Sequence, residues 1–230
     1  MDKREETVLN KLLFSCEYGL LDDVKGIHKC YDIGVVHNDE FIANMVYRAC
    51  KSGNLELVKY LVDLYKFDIV NYDESYNNIC LETTCNCNLD LIKYLIEEHG
   101  ANANVYCYPF YLITYFVENG DLDAVKYLIE HGAKINFDNR EAGWSLRFAI
   151  INGRLDILKY LLDHGTIMVN NLAYKQLVNV NHISYILLKQ ALMVNNFDII
   201  EYLKDNYDVS IKCLYVYDDM VKEEMSGKNE

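Results

Sequence analysis

The sequence predicts an all-α fold, a solenoid of helix–turn–helix units, on three observations. A nine-residue phrase recurs down the chain, each copy carries the apolar spacing of an amphipathic helix, and a second apolar segment precedes each copy. Repetition at a fixed period marks one supersecondary unit stacked on itself, so the 230 residues are expected to form a quasi-linear array without a single central core.

The phrase is clearest as Gly53-Asn54-Leu55-Glu56-Leu57-Val58-Lys59-Tyr60-Leu61. It returns from Cys87 to Leu95, from Gly120 to Leu128 and from Gly153 to Leu161, with weaker copies beginning at Gly19 and Asn195. Successive anchors are separated by 34, 34, 33, 33 and 42 residues. After each anchor the apolar positions read Leu55, Val58, Leu61, Val62, then Leu89, Ile92, Leu95, Ile96, then Leu155, Leu158, Leu161, Leu162, which is the stripe of an amphipathic helix. Asn54, Asn88, Asp121 and Asn196 stand where a side-chain oxygen caps the first free backbone N–H groups, and an acid follows in each first turn. The helices are expected to end at His99-Gly100, His131-Gly132 and His164-Gly165, where glycine takes the left-handed cap conformation and histidine meets the negative end of the dipole.

A shorter apolar segment precedes every anchor and carries a small residue at a fixed offset: Ser15, Ala49, Thr83, Ala149 and Ala191. A small side chain lets neighbouring helices approach. Phe116 breaks that rule and calls for a compensating gap.

Helix, tight turn, helix and a loop closing on Gly100-Ala101-Asn102-Ala103-Asn104 or Gly132-Ala133-Lys134-Ile135-Asn136 resembles the ankyrin repeat over about residues 8 to 210. The expected organisation is an array over 1–210 with repeats near 10–34, 44–71, 78–104, 111–136, 144–170 and 186–209, followed by 211–230 as a C-terminal cap or acidic tail. The first half of each repeat departs from the family. Its usual Thr-Pro-Leu-His is replaced by Asn44-Met45-Val46-Tyr47, Tyr111-Leu112-Ile113-Thr114 and Trp144-Ser145-Leu146-Arg147, so the hydrogen bonds which that motif supplies at the first helix are not expected here. The Leu-Val-Lys-Tyr-Leu core and the Asn- and Tyr-rich composition resemble ankyrin proteins of giant DNA viruses of the mimivirus type. Abundant Asn, Tyr, Ile and Lys beside a single Pro also point to an AT-rich genome.

Solenoid ends must be polar on their outer faces. Residues 2 to 11 are charged, and Asp23, Gly26 and His28 replace the inner-repeat residues Leu57, Tyr60 and Val62. At the other end, residues 218 to 226 read either as the first helix of an unfinished repeat or as a frayed acidic tail. The long final step places an insertion within Thr166 to Ser184, either a binding loop or an inert addition.

A net charge of −13 and a pI near 4.9 oppose a nucleic-acid footprint, which needs a basic patch. No stretch is long and apolar enough for a membrane span, and the start of the chain lacks the apolar core of a signal peptide, so an intracellular, monomeric protein is expected, cytoplasmic and inside a host cell if viral. Eight cysteines then read as reduced thiols.

Cys80, Cys85, Cys87 and Cys107 invite a zinc site, but no pair of Cys-x-x-Cys motifs is present and the repeat already explains Cys80 and Cys87. His99, His131 and His164 recur in phase, which sets them on successive units and not around one atom. With no phosphate-cradling loop, His-Glu-x-x-His or nucleophile elbow, neither an enzyme nor a cofactor is expected. Tyr60, Tyr94, Tyr127, Tyr160 and Tyr202 form a column read as outer-layer packing. Lys59 beside Glu56 and Lys126 beside Asp123 read as surface ion pairs.

The resemblance implies a non-enzymatic scaffold that binds a partner protein through its concave surface and loop tips. Carried over to this chain, the contact positions are Glu74, Ser75, Tyr108, Phe110, Arg140 and Glu141 from loops, and Lys51, Ser52, Glu118, Asn119, Ile151 and Asn152 from the ends of first helices. Tyr106 joins them in the aromatic stretch Val105 to Tyr111, which either anchors a partner or begins a helix with Pro109 near its first position. An alternative is an adaptor delivering its partner to a host ubiquitin ligase, although the tail after Val209 is short for such a module; a zinc-binding module is a weaker one.

Overall fold

A computed structural model of the protein describes residues 3–31, 39–69, 88–107, 109–137, 143–164, 166–169 and 180–207. The chain divides into two compact units, Met1–Leu112 and Ile113–Glu230.

In the first unit, α1 (Lys3–Glu17) and α2 (Leu21–Cys30) form one helix pair and α3 (Asp39–Ser52) and α4 (Leu55–Tyr65) the next; α5 (Leu89–His99) is the second helix of a third repeat. First helix packs on first helix, α1 on α3, and each pair closes on itself. A short antiparallel hairpin follows, β1 (Tyr106–Cys107) with β2 (Phe110–Tyr111), pairing Tyr106 with Tyr111 and Cys107 with Phe110. The second unit contains α6 (Leu112–Asn119, entered from the last residue of the first unit), α7 (Leu122–Glu130), β3 (Lys134–Phe137), α8 (Trp144–Ile151), α9 (Leu155–His164), β4 (Thr166–Val169), α10 (Val180–Met193) and α11 (Phe197–Asn206). There α8 packs on α10 and α7 on α9, so first and second helices form separate layers. The fold is the expected all-α ankyrin solenoid with little strand.

The anchor residue makes the tight turn between the helices of a pair. Gly19, Gly53, Gly120 and Gly153 all have φ between 65° and 79°. That left-handed conformation crowds any Cβ, which explains glycine there. Asn195 adopts it with φ 54°, as the side chain best able to do so after glycine. Immediately downstream, the expected caps form: Asn54, Asn88, Asp121 and Asn196 accept the N–H of Leu57, Leu91, Ala124 and Ile199 at 2.9 to 3.2 Å. At the far end, Gly100 caps α5 with φ 72°, and Ala101 N–H returns to Leu95. Helix α7 stops one residue earlier than the His131-Gly132 signal, at Glu130, with His131 as its cap. The imidazoles of His131 and His164 hydrogen-bond the carbonyls of Tyr127 and Tyr160, four residues back, in the last turn of each helix.

Several expectations need correction. The fully buried arc of the second helices runs Leu57, Val58, Leu61 and Leu91, Ile92, Leu95 and Ile157, Leu158, Leu161, whereas Leu55, Leu89 and Leu155 are half-exposed. The buried face is turned toward the position two after the capped start, because each second helix is covered both by its own first helix and by its neighbours. Phe116 takes the small-residue position and is completely buried. Helix α1 begins at Lys3, seven residues ahead of the start assigned to the first repeat, so the charged opening residues are helical. Of the span 166–184, within which the insertion is expected, residues 170–179 lie outside the described residues. Residues 166–169 are strand β4, parallel to β3 in the register Lys134–Thr166 to Phe137–Val169, and from residue 180 onward the chain belongs to α10, six residues longer than α8. The proposed cap over 218–226 and the whole of 211–230 lie outside the described residues.

The missing Thr-Pro-Leu-His has a visible consequence. Gly143 precedes α8 without a side-chain cap, and the buried hydroxyls of Thr114 and Ser145 satisfy each other at 2.8 Å between α6 and α8.

Candidate interaction surfaces

Each capping asparagine has a second function that the local sequence does not announce. Its amide reaches back to the turn of the preceding repeat: Asn54 Nδ2 donates to Gly19 O at 2.8 Å, and Asn88 Nδ2 to Gly53 O at 2.6 Å. In the second unit Asn196 Nδ2 reaches Ile150 O at 3.4 Å, and Arg154, at the same repeat position, reaches Asn119 O at 3.4 Å. These bonds set one turn against the next, and so hold the ends of the first helices in line.

The second helices carry another ladder. Lys25 lies 5.4 Å from the ring centroid of Tyr60 and Lys59 5.5 Å from that of Tyr94; in the second unit Lys126 lies 5.9 Å from Tyr160 and Lys159 4.8 Å from Tyr202. The lysine of one repeat therefore meets the tyrosine of the next. Lys59 also pairs with Glu56 at 3.7 Å as expected, whereas Lys126 faces Tyr160 instead of Asp123. Burial is the main force raising the tyrosine hydroxyls: Tyr94 is pushed up to about 12, with the carboxylates of Asp63 and Glu98 and the thiol of Cys50 adding to it. Tyr60, Tyr160 and Tyr202 move in the same direction. The tyrosine column is thus packing, with its cations supplied by neighbours.

His28 corrects the reading of the N-terminal end. It is half-buried, with both ring nitrogens engaged. Its Nδ1 meets Tyr60 Oη and its Nε2 meets Tyr65 Oη, each at 3.0 Å, and burial lowers its pKa. Asp23 is exposed and Gly26 borders open space, as an end face requires.

The remaining surface is that of the first helices. In the first unit Lys51 is exposed at the end of α3 and lies 3.8 Å from Glu17, which also pairs with Arg48. The Ser52 hydroxyl donates to Ala49 O at 2.7 Å and accepts Asn54 N–H at 3.3 Å, so it builds the turn. Phe14 on α1 and Tyr18 in the turn after it stand exposed with ring centroids 4.5 Å apart. The aromatic stretch is the β1–β2 hairpin and not a helix start: Tyr106 is exposed, its ring meets Tyr111 edge-on at 5.3 Å, Phe110 is half-buried, Pro109 occupies the turn, and Cys107 is buried.

In the second unit Glu118, Asn119, Ile151 and Asn152 are all exposed at first-helix ends. Beside them are exposed residues that the motif carry-over missed: Trp144 on α8, Met193 ending α10, then Val194 and Phe197. Aligning the repeats on their anchors would have revealed Met193. The position two before the anchor reads Glu17, Lys51, Cys85 and Glu118, and in the last two repeats Ile151 and Met193.

Glu74, Ser75, Tyr108, Arg140 and Glu141 lie outside the described residues, as do Cys80, Cys85 and Cys87 of the considered zinc set. Among the described residues no group of three or more His, Cys, Asp or Glu could hold a metal ion, and no helix is long and apolar enough to cross a membrane.

Stacked helix pairs with layered first and second helices, left-handed anchor turns and bonds between successive turns define a helical-repeat protein. The family model for ankyrin repeats in three copies matches residues 12–107, 85–172 and 115–213. The chain belongs to the ankyrin-repeat family, whose repeats are generally protein–protein interaction modules. Comparison with curated proteins gives no match.

Proposed function

We propose that this chain is a non-enzymatic scaffold that binds a partner protein through the concave, first-helix side of its repeats and the neighbouring loop tips. The observation that carries this reading is the contrast between the layers. In the second unit the second helices turn their lysines onto the next repeat's tyrosines and leave Phe197 exposed at the start of α11, whereas the first helices leave Trp144, Ile151 and Met193 exposed. Large apolar side chains clustered on one layer mark an interaction surface more than a solvated one.

The Leu-Val-Lys-Tyr-Leu core and the Asn- and Tyr-rich composition support a further part of the reading, that the protein comes from a giant DNA virus; action as a monomer inside the host cell is the corresponding expectation. Capture of the tagged full chain with its partner, followed by lysine footprinting, tests the assignment. Lys51 and Lys189 on first helices should be protected, and Lys59, Lys126 and Lys159 on second helices should react as in the lone chain. Protection confined to the second-helix lysines would reject the surface. A partner encoded by the same genome would reject the host-directed part, and ligase subunits in the capture would favour the adaptor alternative.

A further inference from the structure

Counting back from the left-handed anchors Gly153 and Asn195 aligns α8 with α10, which pack directly on each other in the second unit. Ile151 then stands beside Met193, Asn152 beside Val194, and Arg147 beside Lys189. Trp144 is 46% exposed, Ile151 45%, Met193 76% and Val194, in the turn after α10, 41%, so this helix pair and its turn present four large apolar side chains to solvent. Helical spacing places Trp144, Phe148 and Ile151 on one side of α8, and the Trp144 and Phe148 rings are 5.8 Å apart.

The charge on this face is opposite to that of the chain as a whole. Arg147 lies with its guanidinium 5.1 Å from the Trp144 ring centroid, and Lys189 is exposed one repeat further on. Among the described residues of α6, α8 and α10, Glu118 is the exposed carboxylate, at the position matching Ile151 and Met193. The chain carries −13 overall, but charges more than about 10 Å away are largely screened at physiological salt, so the local cations decide which segment docks.

Resting on the scaffold reading above, we infer that the α8–α10 face binds an acidic segment of a partner protein whose aromatic or aliphatic side chains seat among Trp144, Ile151, Met193 and Val194 while its carboxylates meet Arg147 and Lys189. The net charge of the chain alone favours a basic partner. An acidic one is selected only if this face does the selecting.

The test is selection of a random peptide display library on the full chain, with the enriched peptides then measured by fluorescence anisotropy. Enriched peptides should be net acidic with at least two large apolar residues. Their affinity should fall roughly tenfold or more with Arg147→Glu/Lys189→Glu and with Ile151→Glu/Met193→Glu, and survive in Arg147→Lys/Lys189→Arg. Exchanging the peptide's acids for lysines should restore binding to the Arg147→Glu/Lys189→Glu variant, which separates lost contact from lost folding. Enrichment of basic peptides overturns the inference, as does concentration-dependent self-association abolished by Ile151→Glu/Met193→Glu. Peptides that bind every variant equally overturn this face but leave the scaffold reading standing; absence of any enriched peptide counts against both.

Discussion

The side-chain amide of Asn54 donates to the carbonyl of Gly19 at 2.8 Å while its Oδ1 accepts the N–H of Leu57 at 3.1 Å. One residue thus starts its own helix and ties it to the preceding repeat. Aspartate can perform only the first task, because it has no donor when ionised. Asn54→Asp is therefore expected to lose about 1 kcal/mol and Asn54→Ala about 2 kcal/mol. Equilibrium urea denaturation, with hydrogen exchange in α4 as the local reading, distinguishes them. Wild-type stability in Asn54→Asp would mean that the bond between turns contributes nothing.

The anchor turns give a second contrast. At Gly53 an added Cβ would meet Asn88 at an ordinary 3.6 Å, so the cost of Gly53→Ala is that of the left-handed backbone, about 1 kcal/mol. Gly53→Asn should cost less than Gly53→Ala, since Asn195 already makes the equivalent turn. At Gly120 the Cβ would come within 2.5 Å of the Arg154 guanidinium, which must then leave the Asn119 carbonyl. Gly120→Ala should consequently exceed Gly53→Ala in thermal destabilisation, and Arg154→Ala should remove the difference.

These two features show what was legible in the sequence. Caps and anchor turns are decided within a few residues, so Asn54, Asn88, Asp121 and Asn196 could be assigned from the residues around them. The Asn54–Gly19 and Lys59–Tyr94 contacts each span 35 residues, and become visible only once one repeat is laid on the next. The β1–β2 pair has two residues per strand, too few to establish an alternation, and β3–β4 joins segments from successive repeats. On the candidate surface, Ile151 was found because its position matched a family contact. Met193 holds the same position two residues before its anchor, and only counting back from Asn195 identifies it.

The lysine–tyrosine ladder should be measurable as coupling. A double-mutant cycle of Lys59→Gln and Tyr94→Leu is expected to return about 0.5 kcal/mol, at the low end for a solvent-exposed cation over a ring. Raising pH supplies an independent reading. Tyr94 and Tyr65 are held near 12 in the fold, above the value of about 10 in an unfolded chain. Folding therefore favours their neutral form, and the stability this contributes is complete below pH 10 and disappears as pH rises through 12. Tyr94→Phe should flatten the alkaline loss; an unchanged alkaline slope in both Tyr94→Phe and Tyr65→Phe would reject the assignment.

His28 should make the first unit sensitive at the opposite end of the scale. When neutral, its ring donates through one nitrogen and accepts through the other, so one of Tyr60 and Tyr65 accepts and the other donates. When protonated, both nitrogens donate and both hydroxyls can rotate to accept, so neither bond need break. Acid sensitivity then comes from burying the charge, which lowers the His28 pKa from 6.5. A lowered value means that the neutral form is favoured on folding; its contribution is present above pH 6.5 and is lost as pH falls through the folded value. The urea midpoint of the first unit should thus drop more between pH 7.5 and pH 5 in wild type than in His28→Ala. Tyr65→Phe, by removing one partner of the half-buried ring, should cost about 1 kcal/mol at pH 7.5. Equal pH slopes for wild type and His28→Ala would show that another group titrates, and an NMR titration placing His28 above 6.5 would contradict the burial argument directly.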